Sequence, residues 1–303
     1  MSEHKALRHF AAVAARTFHL WPLISRTGMY NYARRKKYPD TLVFLDVVIT
    51  ECCSLKCRNC SNLMQYYHKP ENLDPEEVIA SLRRIFKAVR VKQLKILGGE
   101  PFVSQKVLMR ILEYLREEAL DRFDEVEVIT NGTIVPSEEC IRSMKETPKL
   151  KVLFSNYGEL SSKIEEFMQI CRDEGIDCDV AETDYWWDFG GVNERDEKER
   201  RTQHRYDACY SRKHCNTLFR GKLYACPRQA HAIRLGISPE VEGEYVDVLN
   251  SENEDPAKLH DAIYRLIDRK ERITMCKACG CDSNIKIERA LQTERPLDVS
   301  HGS

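Results

Sequence analysis

The 303-residue sequence lacks the features that mark several classes of protein. No apolar run reaches the roughly 18 residues of a membrane-spanning helix, so we expect no transmembrane segment. The 47 Lys+Arg and 48 Asp+Glu residues leave a formal net charge of only −1, whereas general nucleic-acid binders are usually strongly basic. We therefore expect no nucleic-acid partner. Internal repeats and low-complexity tracts are also missing, which leaves a globular chain large enough to fold without disulfides.

Cysteine, by contrast, is abundant, because the chain has 13 of them. This number is high for a cytosolic enzyme and, being odd, does not suit a secreted disulfide scaffold. A secretory signal is not expected either, since Arg16 and His19 interrupt the apolar stretch near the N-terminus. We expect a protein of the reducing cytoplasm, so its cysteines need a chemical explanation.

Residues 1–40 form a basic N-terminal extension in this interpretation. They contain eight Lys or Arg and two acidic residues, a net charge of +6, which leaves −7 on the rest of the chain. Leu7, Phe10, Ala14 and Phe18 recur at helical spacing and predict an amphipathic helix. Such a helix either packs on the main domain or docks on an anionic substrate, partner or membrane surface.

Residues 41–205 predict alternating strands and helices, which indicates an α/β fold with a parallel sheet and a barrel or part of one. The apolar run from Leu42 to Ile49 suits a strand that is covered on both faces. Asp74 and Pro75 predict a helix start, as N-cap and first-turn proline. The further predicted strands are Lys92–Leu97, Val126–Ile129, Lys151–Ser155 and Ile176–Ala181.

The segment from Gly190 to Arg205 interrupts this pattern, because it is rich in both charges and almost free of apolar residues. We interpret it as a surface loop or a domain boundary. Residues 206–303 then predict a small second domain of α+β type, with one long helix from Pro256 to Arg272.

The cysteines form two groups, of which the first has the spacing C-x3-C-x2-C. Cys53, Cys57 and Cys60 follow the first predicted strand directly, where barrel folds place their chemistry. An iron–sulfur cube has four irons, so three cysteines leave one iron open for a small molecule. The alternative is a structural zinc site that pairs Cys57 and Cys60 with a second C-x2-C, Cys276 and Cys279.

This segment resembles the radical S-adenosylmethionine (SAM) superfamily. The resemblance implies a partial (β/α)6 TIM-like barrel over residues 41–205 and a [4Fe–4S] cluster whose open iron binds SAM. Gly98-Gly99-Glu100-Pro101 resembles the family's motif for the SAM amino group, in which a carboxylate can meet an ammonium. Positions at the ends of the next two strands match family contacts to ribose and methionine; they are Thr130, Asn131, Ser155 and Asn156.

Two details of the cysteine loop depart from a simple match. The family usually has an aromatic residue before the third cysteine, and this chain has Asn59 there. Cys52 adjoins the first ligand position, but Cys53 keeps the three-residue gap to Cys57, so Cys52 is interpreted as a buried thiol.

The second group of cysteines is similar to the twitch half of a SPASM-type C-terminal domain. That resemblance implies a second, auxiliary [4Fe–4S] cluster held by Cys209, Cys226, Cys276 and Cys279. A zinc site with the same four ligands is the alternative. Cys215 and Cys281 are left over as alternative ligands, inert side chains or hydrogen-atom donors. The remaining three are expected in the core: Cys140, Cys171 and Cys178.

The resemblance implies a radical SAM oxidoreductase that forms a 5′-deoxyadenosyl radical, removes hydrogen from its substrate and passes an electron to the auxiliary cluster. We expect a small sugar- or cyclitol-like substrate, free or linked to a nucleotide or lipid, and flavodoxin or ferredoxin as the electron donor. Epimerisation with Cys215 or Cys281 as hydrogen donor, peptide modification, and a non-catalytic zinc or redox-sensing protein are the alternatives. The substrate-binding candidates are Trp187, Asp188, Arg228 and His231.

Overall fold

The computed structural model describes residues 40–182, 184–281, 285–294 and 296–299. The basic extension predicted for residues 1–40 lies outside the described residues, apart from Asp40. The strands in chain order are β1 (Thr41–Val48), β2 (Arg90–Leu97), β3 (Phe123–Thr130), β4 (Leu150–Asn156), β5 (Asp177–Glu182), β6 (Trp186–Trp187), β7 (Thr217–Phe219), β8 (Lys222–Tyr224), β9 (Tyr245–Asp247) and β10 (Lys286–Ile287).

Eight α-helices lie in the described residues, namely α1 (Pro75–Ala88), α2 (Gln105–Glu118), α3 (Glu138–Lys145), α4 (Ile164–Glu174), α5 (Glu199–Ala208), α6 (Ser211–His214), α7 (Pro227–Arg234) and α8 (Pro256–Ile267). Short 3-10 turns span Met64–Tyr66, Pro101–Ser104, Gly158–Ser161, Ser251–Asn253 and Thr274–Lys277. None of the described helices is long and apolar enough to cross a membrane.

The first five strands confirm the predicted α/β fold. They pair in parallel and in sequence order, and the whole eight-stranded sheet runs β5-β4-β3-β2-β1-β7-β8-β9. A sixth parallel strand, β7, pairs with β1 through Asp46 and Thr217 instead of following β5. The hairpin of β7 and β8 and the strand β9 therefore extend the sheet that residues 41–182 begin.

The core lies between this sheet and its helices. Leu45 and Val47 on β1 are fully buried, because the parallel strand is covered by helices on that face. The predicted cap of α1 is confirmed, since the Asp74 side chain accepts a hydrogen bond from the backbone of Glu76 and Pro75 is the first helical residue. Helix α8 packs against α1 and extends the same layer of helices.

One predicted loop is partly wrong, because α5 begins at Glu199 inside the segment that we interpreted as a surface loop or boundary. The buried face of α5 includes Thr202, Arg205 and Tyr206, and Arg205 is only 1% exposed. Its guanidinium pairs with Glu197 and also donates to the Cys276 carbonyl at 3.0 Å. A helix that buries polar groups has no apolar periodicity from which it could be detected.

The long C-terminal helix is shorter than predicted. It begins at Pro256 as expected, with the Asp255 side chain accepting from the Ala257 backbone, but it ends at Ile267 and not at Arg272. The polar residues after it make contacts outside the helix; Arg269, for example, donates to the Gly243 carbonyl at 3.0 Å. A helical extension there would have no apolar face to bury.

Candidate functional site

The first cysteine group lies in the loop after β1, at the carboxyl end of the parallel sheet. Cys53, Cys57 and Cys60 all line one cavity of about 640 Å³, whereas Cys52 is not part of its described wall. Cys52 is only half-buried, so its expected burial is incomplete. The structure thus groups the same three thiols that the C-x3-C-x2-C spacing selected.

Burial keeps these thiols protonated in the metal-free protein. Burial raises the pKa of Cys57 to about 11, although a hydrogen bond from Gln292 partly opposes this rise. Burial also raises the pKa of Cys53 and of Cys60. A thiolate is the form that binds metal, so ligation must compensate for this desolvation. One buried and two half-buried thiols on one concave wall fit the positively charged core of an iron–sulfur cluster, because its charge supplies that compensation.

Gly98 and Gly99 at the end of β2 also line the cavity. The Gly99 N–H donates to the Thr50 carbonyl at 2.9 Å, so the strand end lies directly on the cysteine loop. A Cβ on Gly98 would lie 2.5 Å from the Thr50 oxygen, and one on Gly99 would be under 3.0 Å from the Cys52 carbonyl. The two glycines are required by this contact with the loop as well as by any close approach of a ligand.

Glu100 does not face the cavity, which differs from the expected contact of its carboxylate with an ammonium. The residue has no exposed surface, and its carboxylate accepts from Thr130 Oγ1 at 2.8 Å, from the Asn131 N–H at 2.8 Å and from the Phe102 N–H at 3.2 Å. Burial raises its pKa to about 7 despite these bonds. Glu100 ties the ends of β2 and β3 together, and neither Glu100 nor Pro101 is part of the described cavity wall.

Strands β3 and β4 contribute Thr130, Asn131 and Ser155 to the cavity wall. The Asn131 amide donates to Ser54 Oγ at 3.0 Å and approaches Cys53 Sγ at 3.7 Å. Asn156, the fourth residue predicted here, is not part of the described cavity wall but donates to the carboxylate of Glu182, which lines it, at 2.9 Å.

Aromatic side chains after β5 close one side of the cavity. Tyr185, Trp186, Trp187 and Phe189 line it, and Trp187 remains 44% exposed. Asp188, which was predicted to bind substrate, instead accepts from the Gly190 N–H at 2.7 Å. The short strands β6 and β10 pair antiparallel and fix this wall.

The second cysteine group lines a separate cavity. Its wall includes all four predicted ligands, Cys209, Cys226, Cys276 and Cys279, together with Cys281. Cys281 hydrogen-bonds to Cys209 and Cys279, and its bond to Cys209 lowers the pKa of Cys209 to about 6. The structure therefore brings five thiols together, although the first and the last of them lie 72 positions apart in the sequence.

The spacing within the thiol groups bears on which metal they can hold. Over the described part of the chain, no three His, Cys, Asp or Glu side chains lie close enough together to hold a single metal ion. Zinc needs its ligands about 2.0–2.3 Å from one point, whereas a cubane cluster distributes its ligands over separate irons. As they lie in the described residues, these thiols do not form a ready single-ion zinc site.

The family assignment rests on a comparison with known families. Residues 47–181 match the family model of the radical SAM superfamily. This segment is a radical SAM domain. It contains the cysteine loop, the Gly98–Gly99 strand end and the ends of β3 and β4. All the residues from Cys53 to Ser155 that line the first cavity therefore belong to it.

Curated relatives match over a limited length. The chain is 32% identical over 93 residues to the GTP 3′,8-cyclase of Rhizobium meliloti (strain 1021), which is 30% of this chain and 26% of that protein. It is 25% identical over 145 residues to the GTP 3′,8-cyclase of Clostridium acetobutylicum, 46% of this chain and 44% of that protein. The chain therefore spans less than half the length of these relatives.

Solved structures support the fold over most of the chain. The structure described as native anSMEcpe with bound AdoMet superposes with a TM-score of 0.51 at 12% identity, covering 85% of this chain and 93% of that one. A related structure with AdoMet and the Kp18Cys peptide gives 0.50 at 13% identity, with 85% and 92% coverage. At these identities the likeness concerns the fold alone.

Several predicted residues lie outside the first cavity of the radical SAM domain. Arg228 lines the second cavity, is 5% exposed and donates to the Gly190 carbonyl at 2.8 Å. His231 is fully buried against Tyr67, whose hydroxyl lies 2.8 Å from His231 Nδ1, and burial lowers its pKa to about 3. Cys215 hydrogen-bonds to the buried Asp46. Cys140 and Cys171 are fully buried, as expected, and Cys178 is half-buried.

The sequence interpretation missed a charged cluster that holds the cysteine loop. Glu51, fully buried, accepts from Arg220 Nη2 at 2.9 Å and from Arg234 Nε at 2.9 Å. The exposed Glu71 accepts from the same two arginines. Glu51 lies two residues before Cys53, so this cluster joins the radical SAM domain to β7, β8 and α7 next to the cavity.

Proposed function

We propose that the protein is a radical SAM oxidoreductase with two iron–sulfur clusters, acting on a small sugar- or cyclitol-like substrate. The observation that carries the proposal is the common wall of the two thiol-lined cavities. Ser61 and Phe189 line both of them. The proposed radical site and the proposed electron acceptor therefore lie next to each other, with these two side chains in their common wall.

The residues of the first cavity fit a SAM-binding cluster. Cys53, Cys57 and Cys60 would hold its three protein-ligated irons, which leaves the fourth for SAM. When bound, these groups supply the 5′-deoxyadenosyl radical. The protein's part is to bind and orient, through the main chain of Gly98–Gly99 and the Ser155 side chain on the cavity wall.

The rest of the first cavity suits a small polar substrate. Its volume of about 640 Å³ falls within the ~300–1,000 Å³ typical of small-molecule sites. Tyr185, Trp186 and Trp187 offer aromatic faces on one side, with Glu182 and Asp184 beside them as hydrogen-bond acceptors. Aromatic faces next to carboxylates suit a ring that carries hydroxyl or amino groups.

The second cavity supports oxidation over epimerisation. Cys209, Cys226, Cys276 and Cys279 would hold an auxiliary cluster, which when bound supplies a one-electron acceptor. Epimerisation would need a thiol facing the substrate. Cys281 instead lies among the auxiliary thiols, and Cys215 is bonded to Asp46, so neither belongs to the described wall of the first cavity. We propose flavodoxin or ferredoxin in the cytoplasm as the source of the reducing electron.

The test is anaerobic reconstitution followed by iron and sulfide analysis. Two cubane clusters predict about 8 Fe per chain, and the variants Cys57→Ala and Cys226→Ala should each retain about half of that. Cys140→Ala is the matched control, because Cys140 is fully buried and lines neither cavity. Cys57→Ala should also lose 5′-deoxyadenosine formation from SAM, whereas Cys226→Ala should retain it. Stoichiometric zinc in place of iron, or SAM cleavage by Cys57→Ala, would refute the proposal.

A second candidate function comes from the curated relatives, which are named GTP 3′,8-cyclases. The radical SAM domain of this chain would then act on a purine nucleotide in the first cavity. Incubation of the reconstituted protein with SAM and GTP separates the candidates. GTP consumption coupled to 5′-deoxyadenosine would favour the cyclase, whereas unchanged GTP would leave the oxidoreductase proposal in place.

A further inference from the structure

A segment near the C-terminus lies along the cysteine loop. The Arg58 N–H donates to the Leu291 carbonyl at 2.7 Å, and the Thr293 N–H donates to the Lys56 carbonyl at 2.8 Å. Between them, Cys57 and Gln292 face each other as an isolated antiparallel bridge. The backbone therefore brings the Gln292 side chain next to one specific cysteine of the loop.

The amide of Gln292 has only one orientation that satisfies its partners. Its Oε1 accepts from the Lys56 N–H at 2.7 Å, which a nitrogen at that position could not do. Its Nε2 donates to the Ala290 carbonyl at 2.6 Å and to Cys57 Sγ at 3.2 Å. Both amide hydrogens are thus used, and one of them is aimed at the sulfur.

The three cysteines of the loop have different hydrogen-bond donors. Cys60 interacts with backbone N–H groups between residues 62 and 64, and Cys53 with that of Leu55 and with the Asn131 amide at 3.7 Å. Cys57 receives the side-chain amide of Gln292 at 3.2 Å and is itself only 7% exposed. The Gln292–Cys57 bond is therefore short, and its sulfur end is largely shielded from water.

We propose that Gln292 sets the reduction potential of the cluster that Cys53, Cys57 and Cys60 hold. This inference rests on the proposed function. Reduction adds one electron to the cluster from an external donor, so the reduced state carries one more negative charge. A hydrogen-bond donor on a ligand sulfur stabilises that state more than the oxidised one and raises the potential. Gln292 is a positioning and tuning residue and does not touch the reacting atoms.

The surface position of Gln292 makes the inference testable by substitution. Gln292 is exposed, so its replacement removes no core packing. Gln292→Met keeps the length of the side chain and removes the donor. Gln292→Glu keeps the acceptor for the Lys56 N–H and turns a negative oxygen towards Cys57. Glu294→Gln is the matched control, because Glu294 lies exposed on the same segment.

The experiment is a redox titration of the reconstituted full-length protein, monitored by electron paramagnetic resonance. The reduced-cluster signal that changes on adding SAM identifies the first cluster. We expect a more negative midpoint potential in Gln292→Met, a larger negative shift in Gln292→Glu and no negative shift in Glu294→Gln. Circular dichroism and iron content should equal those of the unmodified protein.

Unchanged potentials in both Gln292 variants with intact clusters would overturn this inference and leave the proposed function standing. Loss of the SAM-responsive cluster from both variants would also overturn it, since Gln292 would then be required for assembly and not for tuning. The proposed function would fail in a different way, through the absence of any Cys57-dependent, SAM-responsive cluster in the unmodified protein.

Discussion

Replacing Glu51 by Gln tests whether the buried charge next to the cysteine loop stabilises the structure. The Glu51 carboxylate accepts from Arg220 Nε at 3.1 Å, from Arg220 Nη2 and Arg234 Nε at 2.9 Å each, and from the Glu71 N–H at 3.0 Å. A glutamine keeps one acceptor oxygen, so its NH2 group must face either the arginines or the backbone N–H. At least one buried donor then loses its partner.

The size of this effect follows from burial. Removing one partner of a buried ion pair costs about 3–5 kcal/mol. The two arginine side chains are each 35% exposed, so water can replace part of what they lose. We therefore expect the lower end, about 3 kcal/mol. With a urea m-value of about 3 kcal/mol/M, the unfolding midpoint should fall by about 1 M.

Glu71→Gln is the matched control, because Glu71 binds the same two arginines at 2.6 and 3.2 Å but its side chain is 58% exposed. Exposed ion pairs are screened by solvent and contribute little. Urea unfolding of the reduced apo-protein, followed by circular dichroism, should show a much smaller shift for Glu71→Gln. Moderate salt should abolish that smaller shift and leave the Glu51→Gln shift. Equal shifts in the two variants would refute the argument from burial.

Three further predictions concern the loop contact, pH and the missed helix. Gly99→Ala forces a Cβ against the Cys52 carbonyl, so reconstituted iron should fall from about 8 towards about 4 per chain, as measured by iron analysis. Burial lowers the pKa of His231 to about 3, so the unfolded chain binds an extra proton between about pH 6.5 and pH 3. The free energy of unfolding should therefore decrease on acidification by up to about 1.4 kcal/mol per pH unit. Urea titrations at pH 7.5 and 5.5 should show a smaller decrease for His231→Gln than for the unmodified protein. Arg205→Met leaves Glu197, whose side chain is only 10% exposed, without its buried partner. This variant should lower the free energy of unfolding by about 3 kcal/mol in the same assay, and Arg205→Lys should lower it less.

The parallel strands and the cysteine loop were predictable because their signals are local. Burial on both faces of β1 gives an unbroken apolar run, and Asp74 with Pro75 marks the start of α1. Parallel strands end at one edge of a sheet, so the residues after β1 to β4 were expected to meet there. The structure shows this for Cys53, Thr130 and Ser155 on one cavity wall.

The features that sequence analysis missed depend on contacts between distant positions. Glu51 bonds to arginines that lie 169 and 183 positions later, and Gln292 reaches back 235 positions to Cys57. A single glutamate or glutamine in a polar segment has no local pattern that indicates such a partner. The orientation of the Glu100 side chain away from the cavity could not be predicted either. The motif has the same glutamate whether its carboxylate is buried or binds a ligand.

The C-terminal third of the chain supports the first cysteine group and supplies most of the wall of the second cavity. Strand β7 pairs with β1, Arg220 and Arg234 hold Glu51, and Gln292 contacts Cys57. Each contact reaches the strand or loop that carries the first cysteine group, and each comes from a different part of residues 206–299. The environment of that group is therefore set by both parts of the chain, so a fragment limited to residues 41–205 would lack the donor to Cys57 and the cations on Glu51. Under the proposed function, helix α7 links the two sites, because Cys226 of the second thiol group caps its start and Arg234 at its end binds Glu51 beside the first group.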